Sequence, residues 1–175
     1  MSMRFDSTKM RELILYVARK TGGVGRVKMA KLLYYSDNEA YRQLGGSITW
    51  ADYQKLPHGP AARQYKPTFA AMVGDGLVHE EPAFMGYTIV ADVDPDPTIL
   101  SDGEVAIIDD VIDRYSWMNA QKISEVSHQE IGWRVAEPYS TIPYTAFLLA
   151  SSVPDNAMKR AAEVVAEKGW AVEPV

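Results

Sequence analysis

The chain has 175 residues, of which 47% are apolar and 23% charged. That is an ordinary globular balance, and the length is enough to bury roughly two thirds of the unfolded surface without staples. There is no cysteine, which excludes disulfide frameworks, cysteine zinc sites, thiol nucleophiles and iron–sulfur clusters. The net charge of −5 is unevenly spread: residues 1–70 hold 12 Lys/Arg against 5 Asp/Glu, a net of +7, and residues 71–175 hold 6 against 18, a net of −12. Such asymmetry suits a nucleic-acid face or a protein partner of opposite charge. Overall acidity disfavours bare nucleic-acid binding, which rests on Lys and Arg at phosphates. No apolar run reaches the roughly 18 residues of a membrane span, and residues 1–9 lack a signal-peptide core. The expectation is a cytoplasmic protein without membrane contact.

Asp6, Ser7 and Thr8 offer a cap, and Met10, Leu13, Ile14 and Val17 recur at helical spacing. They predict a helix over 6–21 that Gly22 and Gly23 stop. A second helix is predicted over 26–44, ended by Gly45 and Gly46, and an extended piece at 47–50 leads into 53–56. At 57–60 two prolines bracket a glycine, so no regular element should continue there. A helix should restart near Ala61, be kinked or split by Pro67, and close at Gly74 and Gly76. Residues 77–81 and 84–93 have the pattern of a β-hairpin around Pro82 and Gly86. The acidic, proline-punctuated stretch 92–97 is the best candidate hinge, yet too short to separate domains. Ser101 with Glu104 matches a capping box, opening a helix to Tyr115 with Val105, Ile108, Val111, Ile112 and Tyr115 inward. A short helix follows over 119–128, residues 129–150 read as irregular to helical, and a last helix runs from Pro154 to Gly169. The sum is an α+β fold: a mainly helical single domain over 5–150 with a small antiparallel β-hairpin. A C-terminal helix and tail, 151–175, should pack on the same domain.

Chemistry is sparse. The glycines at 22, 23 and 25 do not form a phosphate loop, and no Gly-x-Ser-x-Gly elbow exists. His58, His79 and His128 lie far apart, with no pair at metal-ligand spacing. A meeting of His58 and His128 with Asp37 or Glu130 would allow metal binding or acid–base work, but capping of turns and helix ends is the simpler role. The expectation is no enzyme, no catalytic residue, no metal and no cofactor.

The sharper signal is aromatic. Lys31, Leu32, Leu33, Tyr34 and Tyr35, followed by Asp37 and Tyr41, occupy consecutive turns of one helix. Large residues point in too many directions for a surface helix, so it is expected at the centre, buried around most of its girth. A buried Asp37 needs donors, for which Lys31, Arg42, tyrosine hydroxyls or the amides of the 57–60 turn are candidates. Beside the core role stands a recognition role, since tyrosine is enriched at interface hot spots.

The run Lys31-Leu32-Leu33-Tyr34-Tyr35-Ser36-Asp37, then Tyr41-Arg42 and Gly45 with Ile48-Thr49, is similar to the opening signature of the Panacea domain family. The resemblance continues at Leu56-Pro57-His58-Gly59-Pro60, where that family has a Gly-Pro turn, and at Leu77-Val78 after Gly74-Asp75-Gly76. It extends to the helix from Ser101 to Tyr115 and to Ile123-Ser124 with His128 and Trp133. Roughly residues 8–150 are covered; Pro67 departs from the family's unbroken helix, and the tail lies outside the pattern. The resemblance implies an antitoxin of a type II-like toxin–antitoxin pair, SocA-like and phage-associated. It would neutralise a cognate toxin, encoded by the adjacent gene, through direct protein–protein binding. For some family members that toxin is an alarmone-synthetase-like translation inhibitor. Tyr34, Tyr35, Asp37, Tyr41, His58 and Trp133 are the candidate partner-binding residues, on a structural motif of Lys31, Leu32, Leu33, Pro57, Gly59 and Pro60. The alternatives are a winged-helix-like DNA-binding regulator, or a proteolytic adaptor delivering a toxin to a protease.

Overall fold

The computed structural model describes residues 4–148. The helix expected from Pro154 to Gly169 and the tail domain 151–175 lie outside the described residues. Helix α1 (Ser7–Thr21) starts where the Asp6 carboxylate accepts from the Lys9 amide at 2.9 Å and stops at Gly22 in the left-handed conformation. Strand β1 (Val24–Gly25) leads directly into α2 (Arg26–Leu44), capped by left-handed Gly45. Every residue of α2 from Met29 to Ala40 is buried. It is the central helix, packed against α1, α4 (Asp102–Tyr115), α5 (Ala120–Ser127) and the 3-10 turn Tyr144–Leu148.

Two small sheets complete the domain. Strands β2 (Tyr53–Leu56) and β3 (Gly59–Ala62) form an antiparallel hairpin turning at Pro57-His58. The chain does break at Pro57-His58, but Gly59 and Pro60 belong to a strand, which corrects the reading that no regular element continues through 57–60. Ala61 continues that strand where a helix was expected to restart. Pro60 is tolerated because it faces Lys55, whose backbone groups turn the other way: its amide donates to Ser140 O at 3.0 Å and its carbonyl accepts from the Tyr139 amide at 2.8 Å. No ladder bond is asked of the imino nitrogen. Helix α3 (Tyr65–Gly74) then begins late enough to place Pro67 in its first turn, where an amide would have no intrahelical acceptor. The expected kink or split is therefore absent.

Strands β4 (Val78–Pro82) and β5 (Tyr87–Ala91) form the expected antiparallel hairpin, and β1 adds to β5 through Val24↔Ile89, giving the order β1-β5-β4. Helix, strand, helix, helix and a returning hairpin with this strand order make a winged-helix topology, with β2–β3 inserted between its second and third helices. The 92–97 stretch is tied to α1 by Arg19 on Asp94 at 2.7 Å and by the Asp96 amide on Glu12 at 2.7 Å. The capping box forms as expected: the Ser101 hydroxyl accepts from the Glu104 amide, and Glu104 accepts from the Ser101 amide at 2.9 Å. Ser101→Ala should lower stability by about 1 kcal/mol, read by denaturant unfolding. Short α6 (Ile131–Val135) closes the domain beside the β2–β3 turn.

Candidate functional site

The motif residues spread along the sequence converge on the β2–β3 turn. Gly59 has φ +96, and a Cβ there would lie 2.2 Å from Ser127 Oγ and 2.9 Å from Lys31 Nζ. Only glycine allows both the backbone conformation and this approach. The turn is thus pressed between α2 and α5. Lys31, 2% exposed, donates from Nζ to Pro60 O at 2.9 Å. Trp133 donates from Nε1 to Leu56 O at 3.1 Å. Its ring stacks on His128 with centroids 4.1 Å apart, and the Lys55 ammonium lies 4.6 Å from its centroid. Two side chains 102 positions apart in sequence therefore hold the two arms of one turn, and His58 at its apex stays exposed. A cleft of about 340 Å³ lined by His58, Ser124, Glu125 and His128 flanks one side. A smaller one of about 200 Å³, lined by Leu56, Pro57, Trp133 and Tyr139, flanks the other.

Burial shapes the charges beneath the turn. Lys31 has no carboxylate in salt-bridge range among the described residues, and burial lowers its pKa to about 7. His128 is lowered below the ordinary imidazole value, first by burial and then by the neighbouring Lys31 charge. Its Nε2 is buried without a partner among the described residues.

A second polar knot lies further along α2. Asp37 is fully buried. Its Oδ1 accepts from Ser47 Oγ at 2.7 Å and the Thr49 amide at 2.8 Å, and its Oδ2 accepts from the Thr49 hydroxyl and from Tyr53 OH at 2.8 Å. Burial raises its pKa, and these four donors oppose that rise. Of the donors expected from sequence only a tyrosine hydroxyl is used; Lys31, Arg42 and the 57–60 amides are not. The Ser-x-Thr step directly after the Gly45-Gly46 stop was the signal for the rest. Around this knot Tyr34, Tyr53, Tyr144 and Phe147 pack edge to face at 5.0 to 6.4 Å.

The model of the family "Antitoxin SocA-like, Panacea domain" matches residues 29–134, more than half of the chain. The chain belongs to that family. No curated protein matches it. The matched span runs from the start of the buried face of α2 into α6, so it encloses Lys31, the turn and Trp133.

In this Panacea domain the candidate residues divide by position. Tyr34, Tyr35 and Asp37 are at most 2% exposed, so a partner docking on this structure meets them only through what they hold in place. The Tyr34 and Tyr35 hydroxyls have no partner among the described residues, and burial pushes both well above the ordinary phenol value. Lys31, Leu32, Leu33, Gly59 and Pro60 are buried too, whereas Pro57 is exposed. Tyr41 is half-buried against Trp50 and Tyr144; Trp133 is half-buried, and of the six candidate partner-binding residues only His58 is exposed. His58 and His128 share a cleft, while Asp37 is committed to its own knot. Among the described residues no three His, Cys, Asp or Glu side chains are placed to hold a metal ion, and no helix is long and apolar enough to cross a membrane. Ser127, Lys55 and Tyr53 are site-building residues that sequence reading missed.

Proposed function

We propose that this protein neutralises a cognate protein toxin by direct contact, and that the toxin meets the β2–β3 turn and its flanking clefts. Membership of an antitoxin family supports the role. The observation that carries the location is that Lys31 and Trp133 are both spent on orienting a turn whose one large polar side chain, His58, is exposed at its apex beside the cleft it shares with His128. A buried lysine without a counter-ion costs stability, so holding this turn rigid serves something outside the domain. His58 and Trp133 are the contact residues in this reading, and Tyr41 sits at the rim of the aromatic cluster. Tyr34, Tyr35 and Asp37 set the shape from within. The role is binding rather than catalysis, in the cytoplasm, with the toxin encoded by the neighbouring gene.

Co-expression with the neighbouring gene tests this, scored by growth and by pull-down. His58→Ala should lose most of the rescue while the melting temperature stays within about 1 °C, because an exposed turn side chain contributes little to folding. Equal loss of rescue and of melting temperature would move the contact surface elsewhere.

The winged-helix-like topology gives the DNA-binding alternative one specific point in its favour. Its chemistry points away from DNA. The exposed side of α3 carries Lys66, Pro67, Ala70, Ala71 and Val73, and the β4–β5 hairpin has no Lys or Arg, whereas duplex binding needs several cations on these elements.

A further inference from the structure

The wing carries an unusual pair of side chains. Phe84 and Met85 at the β4–β5 tip are 104% and 87% exposed, with Tyr87 behind them at 58% and Val73 of α3 at 44%. The tip is a defined turn: the Ala83 amide donates to Gly86 O at 3.0 Å, and Gly86 has φ +85. Arg26 joins the wing to α3. Its guanidinium pairs with Glu80, and it lies 5.7 Å from the Phe69 centroid. Large apolar side chains this exposed on an ordered hairpin mark protein contact sites.

The charge around them sets the partner's chemistry. Hairpin residues 78–91 contain Glu80 and Glu81 and no Lys or Arg; at the far end of the ladder from the tip, Asp92 meets His79 and Asp94 is paired with Arg19. Glu80 is neutralised by Arg26, but Glu81 meets only His79. The tip is therefore an apolar plug beside one carboxylate, Glu81, that has no Lys or Arg partner among the described residues. It complements an apolar socket with Lys or Arg at its rim.

Resting on the antitoxin reading, we propose that the wing is a second docking element of this domain. It inserts Phe84 and Met85 into a basic-rimmed socket of the toxin, in place of the DNA contact a winged helix makes elsewhere. Turn and wing then engage the toxin as two separate anchors.

The test uses the full chain and the purified product of the neighbouring gene. Wild type, Phe84→Ser/Met85→Ser and Glu81→Lys are compared by calorimetric binding at low and high salt, with melting curves for each. The double variant should bind at least about tenfold more weakly at unchanged melting temperature, and Glu81→Lys should weaken binding more at low salt than at high salt. If wild type does not bind this product, the antitoxin reading falls and the wing proposal with it. If wild type binds and the double variant binds equally well, the wing proposal alone is overturned. Two other results also overturn it: binding of a short DNA duplex that the double variant loses, or a wild-type dimer that the double variant makes monomeric.

Discussion

Replacing Asp37 by alanine should remove a large part of this domain's stability. The side chain is fully buried and accepts four hydrogen bonds: two hydroxyl donors and the Thr49 amide from the loop after α2, and the Tyr53 hydroxyl from β2. Alanine orphans all four, and each buried unpaired donor costs about 1–3 kcal/mol. Some hydroxyls will find other acceptors, so a loss of about 4 kcal/mol or more is expected, against a total stability of about 5–15 kcal/mol for natural domains. Asp37→Asn should be far milder. Oδ1 faces the Thr49 amide, which can only donate, whereas Oδ2 faces two hydroxyls, which can rotate and accept. An asparagine oriented with its oxygen at Oδ1 and its NH2 at Oδ2 therefore satisfies the knot, with a loss of about 1–2 kcal/mol. Denaturant unfolding of both variants separates the cases. Because the carboxylate does not reach the surface, toxin rescue should track stability for both substitutions. An Asp37→Asn protein that keeps its melting point and loses rescue would instead give Asp37 a direct binding role.

The elements that sequence made legible are those set by local chemistry. The ends of α1 and α2 follow from Asp6, Gly22 and Gly45, and the start of α4 from Ser101 with Glu104. The all-round apolar and aromatic character of residues 29–41 announced a buried central helix. What stayed hidden depends on partners distant in sequence. Pro57, Gly59 and Pro60 read as breakers because the acceptable register, Lys55 opposite Pro60 with its backbone turned toward 139–140, is fixed by a segment about 80 residues away. Strand β1 has two residues and exists only because Ile89 and Thr88 arrive beside it. No local pattern can announce such a strand, so the three-stranded sheet was missed although its hairpin was seen. Lys31 belonged to the recognisable motif, yet its burial under the turn, and hence its function as a clamp, required the fold.

That clamp gives the domain a distinctive pH dependence. The unfolded chain holds the Lys31 proton up to the ordinary value of 10.5, whereas the folded protein releases it at about 7. Between these values the unfolded state binds more protons, so stability must rise with pH across the window. Each pH unit of that window is worth about 1.36 kcal/mol, so the full rise is roughly 3–5 kcal/mol, and about half should be gained between pH 7 and 9. Below about 7 both states are protonated and the full penalty of a buried ammonium with a single carbonyl partner applies. Lys28, also lowered by burial, adds slope of the same sign. Above pH 10 the trend reverses. Tyr34, Tyr35 and Tyr53 are held above their ordinary values by burial, so the unfolded chain ionises first and draws the equilibrium toward itself. Stability should therefore peak between about pH 9 and 10, with a melting temperature some 5 °C or more above that at pH 7. Lys31→Met keeps the length of the side chain and removes the charge. Its cost is one unpaired carbonyl at Pro60, about 1 kcal/mol, which is less than the penalty it removes. The variant should be more stable than wild type at pH 7, and its slope between pH 7 and 9 should be largely gone. Melting curves over pH 6–11 read both effects, and a variant that retains the wild-type slope would show that Lys31 does not carry it.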